Sequence, residues 1–172
     1  MKILIDTNVI LDVLCDRTDF VENSSKIWKL CEVEKIDGYI SALSIPNIVY
    51  ILRKELTPEK TQQIIEQLFM IFHIADLKSS DIRKAANMKT SDYEDAIQMV
   101  CAQRMKVDFI VTRNIKDFIE SKVPAMKPDE LLERREQGGR PQRGGPPFYY
   151  IKLIFFLNLT VFSISNLFFD CS

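Results

Sequence analysis

Short apolar runs alternate with longer amphipathic stretches along the first 135 residues. Four runs have the length and the β-branched content of buried strands: residues 3–5, 37–43, 72–77 and 107–112. Elsewhere apolar residues recur every three or four positions, which predicts helices at residues 9–14, 45–52, 58–72, 79–89 and 91–105 and after Pro128. Strands that alternate with helices in this way predict an α/β sandwich around a parallel sheet.

The composition changes sharply after Arg135. Residues 136–147 contain four of the five glycines and three of the seven prolines, which is typical of a linker. Residues 148–172 are mostly apolar. We therefore predict a domain at 1–135, a linker at 136–147 and an apolar C-terminal tail at 148–172. Three interpretations of the tail stay open: a membrane anchor, an added element packed on the domain, and an extension with no selected function.

Charge and cysteine content narrow the class of protein. The net charge is −1, so the chain as a whole does not attract a polyanion such as a nucleic acid. Local positive charges or metal ions would have to bind one. The four cysteines are scattered without a CxxC pair, which gives no zinc site built on thiols. Two of them, Cys15 and Cys101, lie in apolar helical patterns, which indicates reduced thiols and a cytoplasmic protein.

Acidic residues follow the first predicted strand and open the long middle helix. Asp6 comes directly after the strand, so we expect it at the sheet edge where open α/β folds bind ligands; capping of the next helix is an equal alternative. Asp92 and Asp95 are three positions apart and share a face of the middle helix, with Ser91 as its predicted N-cap. Glu94 is expected to point away from them. An acidic turn that only complements the helix dipole is the alternative for this group.

Polar residues also follow the last predicted strand. Thr112 ends that strand, and Asn114 and Asp117 lie in the turn after it. Because parallel strands end at the same edge of a sheet, these residues and the earlier acids would gather several carboxylates there. Like charges do not cluster without a counterion. A hard divalent cation with oxygen ligands, such as Mg²⁺, removes the repulsion and commonly acts on phosphates.

Three stretches together resemble the PIN-domain nucleases, most closely the small VapC-type toxins of toxin–antitoxin pairs. They are LIDTNVILD near the N-terminus, DYEDAIQ in the middle and FIVTRNIKDF towards the end, and the likeness covers residues 1–135. The resemblance implies a three-layer α/β/α fold with a parallel sheet of about five strands. It also implies an endoribonuclease that hydrolyses RNA with Mg²⁺ or Mn²⁺. The implied partners are the RNA substrate, a small antitoxin protein and a second copy of the chain.

The resemblance also assigns roles to single residues. It assigns catalysis and metal binding to Asp6, Asp95 and Asp117, and metal binding alone to Asp92. The polar residues that support these acids are Asn8, Asn47, Thr112 and Asn114. Arg113 and Lys116 are assigned to binding of RNA phosphates. For the two cations, a pair of solvated surface charges is the alternative. Asp12 and Asp16 follow the first motif and are expected to face solvent.

Two positions depart from the family pattern and keep a second function open. Asn47 stands where the family usually has Glu, and Asn114 stands where some relatives carry an acid. An amide oxygen can still face a metal ion, but it lacks the charge of a carboxylate. The alternative function is therefore a catalytically weakened PIN domain that binds RNA or a protein. A response-regulator-like domain is disfavoured because no lysine ends the strand at 107–112.

Overall fold

The computed structural model describes residues 1–90 and 92–138, and its strands form one parallel sheet. The sheet has five strands in the order β3-β2-β1-β4-β5. Their bounds are β1 Lys2–Ile5, β2 Asp37–Ser41, β3 His73–Ala75, β4 Phe109–Val111 and β5 Ala125–Met126. The central strand β1 pairs with β2 and β4, and Ile5 lies opposite Ile40 on one side and Val111 on the other.

Helices connect the strands and cover both faces of the sheet, which confirms the predicted three-layer α/β/α sandwich. In the described part of the chain they are α1 Thr7–Leu14, α2 Val21–Glu32, α3 Ser44–Leu52, α4 Pro58–Ile71, α5 Ser79–Ala85, α6 Tyr93–Met105 and α7 Pro128–Gly138, with a short 3₁₀ helix at Ile115–Phe118. Thr57 caps α4 through its side chain, and Pro58 occupies the first helical position, where its missing N–H is not needed.

The core lies on both faces of the central strand because successive side chains of a strand point to opposite sides. Leu4 packs with Met99 of α6 on one face. Ile5 packs with Ile27 and Trp28 of α2 on the other face. The side chains of Leu4, Ile5 and Ile27 are almost completely buried, so the short apolar run that predicted β1 is the centre of the fold.

The structure differs from the predicted elements in three places. Helix α2 was not predicted, although Ile27, Trp28 and Cys31 form its buried side. Strand β5 has only two residues, which is too short for a periodic signal. The helix predicted at 79–89 ends at Ala85. The other predicted helices and all four predicted strands are present, each within a few residues of its predicted bounds.

The strand order places a crevice beside β1. The chain builds the sheet outward from β1 in one direction through β2 and β3, and in the other through β4 and β5. Parallel sheets bind ligands at such a reversal, outside the carboxyl ends of the two strands that flank it. Asp6 follows β1 and Thr112 follows β4, so the fold brings these two predicted site residues to the same crevice.

Residues Met1–Gln137 form one compact unit. Helix α7 continues to Gly138, past the predicted domain boundary at 135. The rest of the predicted linker, the tail at 148–172 and the predicted cap Ser91 lie outside the described residues. Among the helices of the described ranges, none has the length and apolarity needed to cross a bilayer. In the same ranges, Cys15, Cys31 and Cys101 are free thiols.

Candidate active site

Asp6 is held at the centre of the crevice by backbone and side-chain contacts. Its N–H donates to the carbonyl of Val111 at 2.9 Å, which extends the pairing of β1 and β4 past the strand ends. Its carboxylate is only 4% exposed and accepts hydrogen bonds from Thr112 Oγ1 at 2.7 Å, from Gln98 Nε2 at 3.1 Å and from Asn8 Nδ2. Asp6 is also the N-cap residue of α1: its carbonyl accepts from the N–H of Val9 at 3.0 Å, while its side chain makes no capping hydrogen bond.

The residues around Thr112 form a small network that fixes this carboxylate. Thr112 is fully buried, and its Oγ1 also accepts from the N–H of Asn114 at 3.0 Å. Asn8 Oδ1 accepts from the N–H of Arg113 at 3.4 Å. The turn after β4 is therefore tied to the start of α1, and both Asn8 and Thr112 orient Asp6.

The start of α6 brings three acids to the same crevice. Asp92 is the N-cap of this helix, and its Oδ1 accepts from the N–H of Glu94 at 2.7 Å. The helical residues begin after it, and Gln98 follows Glu94 by four positions and Asp95 by three, so Gln98 lies on the same side of α6 as each of these acids. The expectation that Glu94 points away was wrong: it rested on the 100° step between Glu94 and Asp95, but the site is an open cavity that both side chains reach.

An open cavity of about 540 Å³ lies at this edge of the sheet, and we call it the acidic cavity. Seven of the predicted site residues line it: Asp6, Asn8, Asn47, Asp92, Asp95, Asn114 and Asp117. It is also lined by residues that were not predicted, among them Arg17, Tyr50, Lys54, Glu94 and Gln98. Thr112 is not among the lining residues, but its Oγ1 donates to Asp6, which is. Arg113 and Lys116 are not among the residues that line the cavity.

The carboxylates of the acidic cavity oppose one another's ionisation. Burial and the neighbouring charges of Asp6, Asp92, Asp117 and Glu94 raise the pKa of Asp95 to about 7. Burial also raises the pKa of Asp6, against the effect of its hydrogen bonds from Thr112 and Gln98. The site therefore holds more negative charge than its protein surroundings neutralise.

The carboxylate oxygens that line the acidic cavity suit a hard divalent ion, both in charge and in atom type. Within residues 1–90 and 92–138, no three His, Cys, Asp or Glu side chains form a group that could hold a metal ion by itself. Mg²⁺ usually takes only one or two protein carboxylates and keeps several of its waters. Five carboxylates around one cavity, with the raised pKa of Asp95, are consistent with an ion bound in that manner.

Arg113 binds the buried side chain of Asp12. Its Nη1 lies 3.3 Å from Asp12 Oδ1, and its guanidinium stacks on the ring of Phe20 at 4.2 Å from the centroid. Asp12 is fully buried and also contacts Ser24 Oγ at 3.1 Å and Arg17 Nη1 at 3.5 Å. The expectation that Asp12 faces solvent was therefore wrong, because two arginines and a hydroxyl compensate its charge. The surface-charge alternative for Arg113 was wrong as well.

Replacement of Asp12 by Ala is expected to lower the free energy of unfolding by about 2–4 kcal/mol, because it leaves Arg113, which is only 24% exposed, without its partner. Asp16 does not suit as a control because its φ is 47°. The exposed Asp19 does, and its replacement by Ala should change the free energy by less than about 0.5 kcal/mol. Urea unfolding followed by Trp28 fluorescence measures both. Equal midpoints for the two variants would contradict the assigned role of the pair.

Comparison with known proteins identifies relatives over most of the described unit. The sequence profile of the PIN domain matches residues 2–116. Ribonuclease VapC1 of Aquifex aeolicus (strain VF5) is 25% identical over 138 residues, which cover 77% of this chain and 94% of that protein.

Solved structures share the same fold. FitAcB from Neisseria gonorrhoeae aligns with a TM-score of 0.56 and 22% identity, over 75% of this chain and 99% of that chain. DNA-bound VapBC from Salmonella typhimurium aligns with a TM-score of 0.58 and 16% identity, over 74% of this chain and 98% of that chain. At these identities the likeness supports the architecture described above.

Proposed function

We propose that this chain, which belongs to the PIN-domain family, is a divalent-metal-dependent endoribonuclease and the toxin of a toxin–antitoxin pair. The observation that carries the proposal is the buried Asp6 carboxylate, fixed by Asn8, Gln98 and Thr112 at the edge of a cavity with four further acids. A curated relative that covers most of the chain is a ribonuclease by name, which supports RNA as the substrate.

In this proposal four acids of the cavity, Asp6, Asp92, Asp95 and Asp117, would hold Mg²⁺ or Mn²⁺. Asp6 and Asp95 would hold the ion directly, Asp117 would hold it or a second ion through water, and Asp92 would contribute a carboxylate whose Oδ1 already caps α6. When bound, the ion would supply an activated water for attack on the phosphodiester and positive charge to neutralise the phosphate in the transition state. Asn8 and Thr112 keep the Asp6 carboxylate in one orientation, which fixes where the ion binds.

Cations at the cavity rim are the proposed contacts for RNA phosphates. Lys54 and Arg17 line the cavity, and Lys54 Nζ lies 4.6 Å from the ring centroid of Tyr50, which is 68% exposed. Arg113 is bound to Asp12, and Lys116 does not line the cavity. Their predicted contacts would therefore be to phosphates of the RNA farther from the cleaved bond. The exposed ring of Tyr50 offers a stacking surface for an unpaired base.

Replacement of Lys54 by Ala is expected to raise KM for an RNA substrate by about three- to tenfold with little change in kcat, the effect of losing one phosphate contact. Lys116→Ala is the matched comparison and should raise KM less, because Lys116 does not line the cavity. Steady-state cleavage of a fluorogenic RNA at two salt concentrations measures both effects. A larger effect of Lys116→Ala would assign phosphate binding to the turn after β4.

The proposed partners are a small antitoxin protein and a second copy of the chain, both in the cytoplasm. One solved structure with the same fold, from Klebsiella pneumoniae, is a toxin–antitoxin complex by name. Three free thiols in the described ranges fit a reducing compartment. Co-purification with the product of an adjacent reading frame, and the mass of the chain in solution, test the two partners separately.

The proposed activity is tested by incubating the purified full chain with end-labelled RNA and Mn²⁺, with Mg²⁺ and with EDTA. Internal cuts that need a divalent ion and stop in EDTA are expected. The alternative, a weakened PIN domain that binds RNA or a protein, is favoured by Asn47, which lines the cavity with an amide in place of a carboxylate. RNA binding without cleavage in any metal would replace the nuclease proposal with this alternative.

A further inference from the structure

Glu94 is a half-buried carboxylate that has no role in the mechanism above. It lies in the first turn of α6 and lines the acidic cavity. Thr7 Oγ1 lies 3.3 Å from Glu94 Oε1 and 2.8 Å from Ser44 Oγ, and Ser44 is fully buried. Because Thr7 begins α1 and Ser44 begins α3, two helices other than α6 fix the position of this carboxylate.

Asn47 is a second contact of Glu94 from α3. It follows Ser44 by three positions, so the two residues lie on one side of α3. Burial raises the pKa of the Glu94 carboxylate, the neighbouring amide of Asn47 acts against that rise, and both side chains line the acidic cavity. The amide of Asn47 therefore has a partner within the protein and is placed to orient a carboxylate.

Gln98 gives an independent indication that an ion belongs on this side of the cavity. It lies one turn after Glu94 on the same face of α6 and is 1% exposed. Its Nε2 donates to Asp6, but its buried Oε1 has no hydrogen-bond partner in the structure. A buried polar oxygen is rarely left without a partner, and a bound ion or its water shell would satisfy it.

From these contacts we propose that Glu94 is a ligand of the divalent ion in the acidic cavity, and that Asn47 is a positioning residue that acts on the ion through Glu94. The α3 side of the site is then built from an amide and a carboxylate on two different helices. This arrangement supplies the negative charge that Asn47 itself lacks. The inference rests on the proposed metal dependence.

The test is Mn²⁺ binding by isothermal titration calorimetry at pH 8, with no RNA present, on the full chain. Removal of a group that orients a metal ligand typically weakens metal binding by about 10–100-fold. Glu94→Gln, which removes a proposed ligand, is therefore expected to weaken Mn²⁺ binding by at least about tenfold, and Asn47→Ala by less than Glu94→Gln. The double variant should bind no more weakly than Glu94→Gln alone, because Asn47 has nothing to orient once the carboxylate is gone. Glu133→Gln is the matched control, since Glu133 is exposed on α7, which has no residue in the cavity.

The outcomes separate this inference from the proposed function. Unchanged Mn²⁺ affinity in Glu94→Gln would overturn the inference and leave the nuclease proposal standing. Additive losses in the double variant would overturn the positioning role of Asn47 and favour its direct contact with the ion. Absence of Mn²⁺ binding by the unaltered chain would overturn both proposals. Melting temperatures without metal identify any variant that fails to fold, and in that case Glu94→Ala, which also removes the carboxylate, replaces Glu94→Gln in the cycle.

Discussion

Replacement of Asp6 by Asn is expected to reduce metal-dependent RNA cleavage by about a thousandfold or more. Loss of a group that merely orients a metal ligand typically reduces activity by about 10–100-fold, and Asp6 is proposed as a ligand itself. Its carboxylate accepts from three side chains and is almost completely buried, so no neighbouring acid can take its position.

The same replacement should leave the fold intact. It removes a buried charge, which favours the folded state, but it turns an amide donor towards Asn8, Thr112 or Gln98, which opposes it. We therefore expect a melting temperature within a few degrees of the unaltered chain when no metal is added. Single-turnover cleavage with Mn²⁺ beside a melting curve measures both effects, with Asp19→Asn as the control. Undiminished cleavage by the Asp6 variant would remove Asp6 from the site.

The position of Asp6 could be predicted from local sequence because two independent rules agree there. A buried apolar run gives the strand, and the order of strands and helices makes the sheet parallel, so the acid after the run must lie at the carboxyl edge. The same reasoning places Thr112 at that edge. The structure adds what the pattern could not give, namely that β1 and β4 are neighbours and that Thr112 donates to Asp6.

The composition of the acidic group on α6 could not be predicted because it depends on the residue at which the helix begins. The sequence indicated Ser91 as the cap, whereas the structure has Asp92 there, and helix ends commonly differ by one or two residues from their predicted positions. With Asp92 as the cap, Glu94 turns into the cavity beside Asp95. One position at the helix start therefore decides whether Glu94 belongs to the site.

The pair of Asp12 and Arg113 shows a second limit of local patterns. Asp12 occupies a helical position that is usually solvated, and its partner lies in a turn far away in the sequence. No periodicity reports such a contact, because burial of an acid depends on which cation the fold brings to it. The two-residue strand β5 was missed for the related reason that its identity comes from pairing with β4.

In the absence of metal, the free energy of unfolding is expected to fall as the pH rises from about 4 to about 7, in part because of Asp95. Burial and the surrounding carboxylates raise its pKa from 3.8 to about 7 in the folded chain. Between these values the folded state keeps the proton and the unfolded state releases it, so each rise in pH favours unfolding. Asp95→Asn carries no such charge and should show a shallower decline.

At pH 8 without metal, Asp95→Asn should therefore be more stable than the unaltered chain by about 1–2 kcal/mol, after allowance for solvent screening. Added Mn²⁺ should reverse the order, because the ion stabilises only the chain that binds it well. Urea unfolding from pH 4 to pH 8, with and without Mn²⁺, measures both effects, and the exposed Asp129→Asn is the control. Parallel pH profiles for Asp95→Asn and the unaltered chain would show that Asp95 does not carry the excess charge of the cavity. Equal stabilisation of both by Mn²⁺ would remove Asp95 from the ligands of the ion, since a ligand's loss must weaken the binding that stabilises the folded chain.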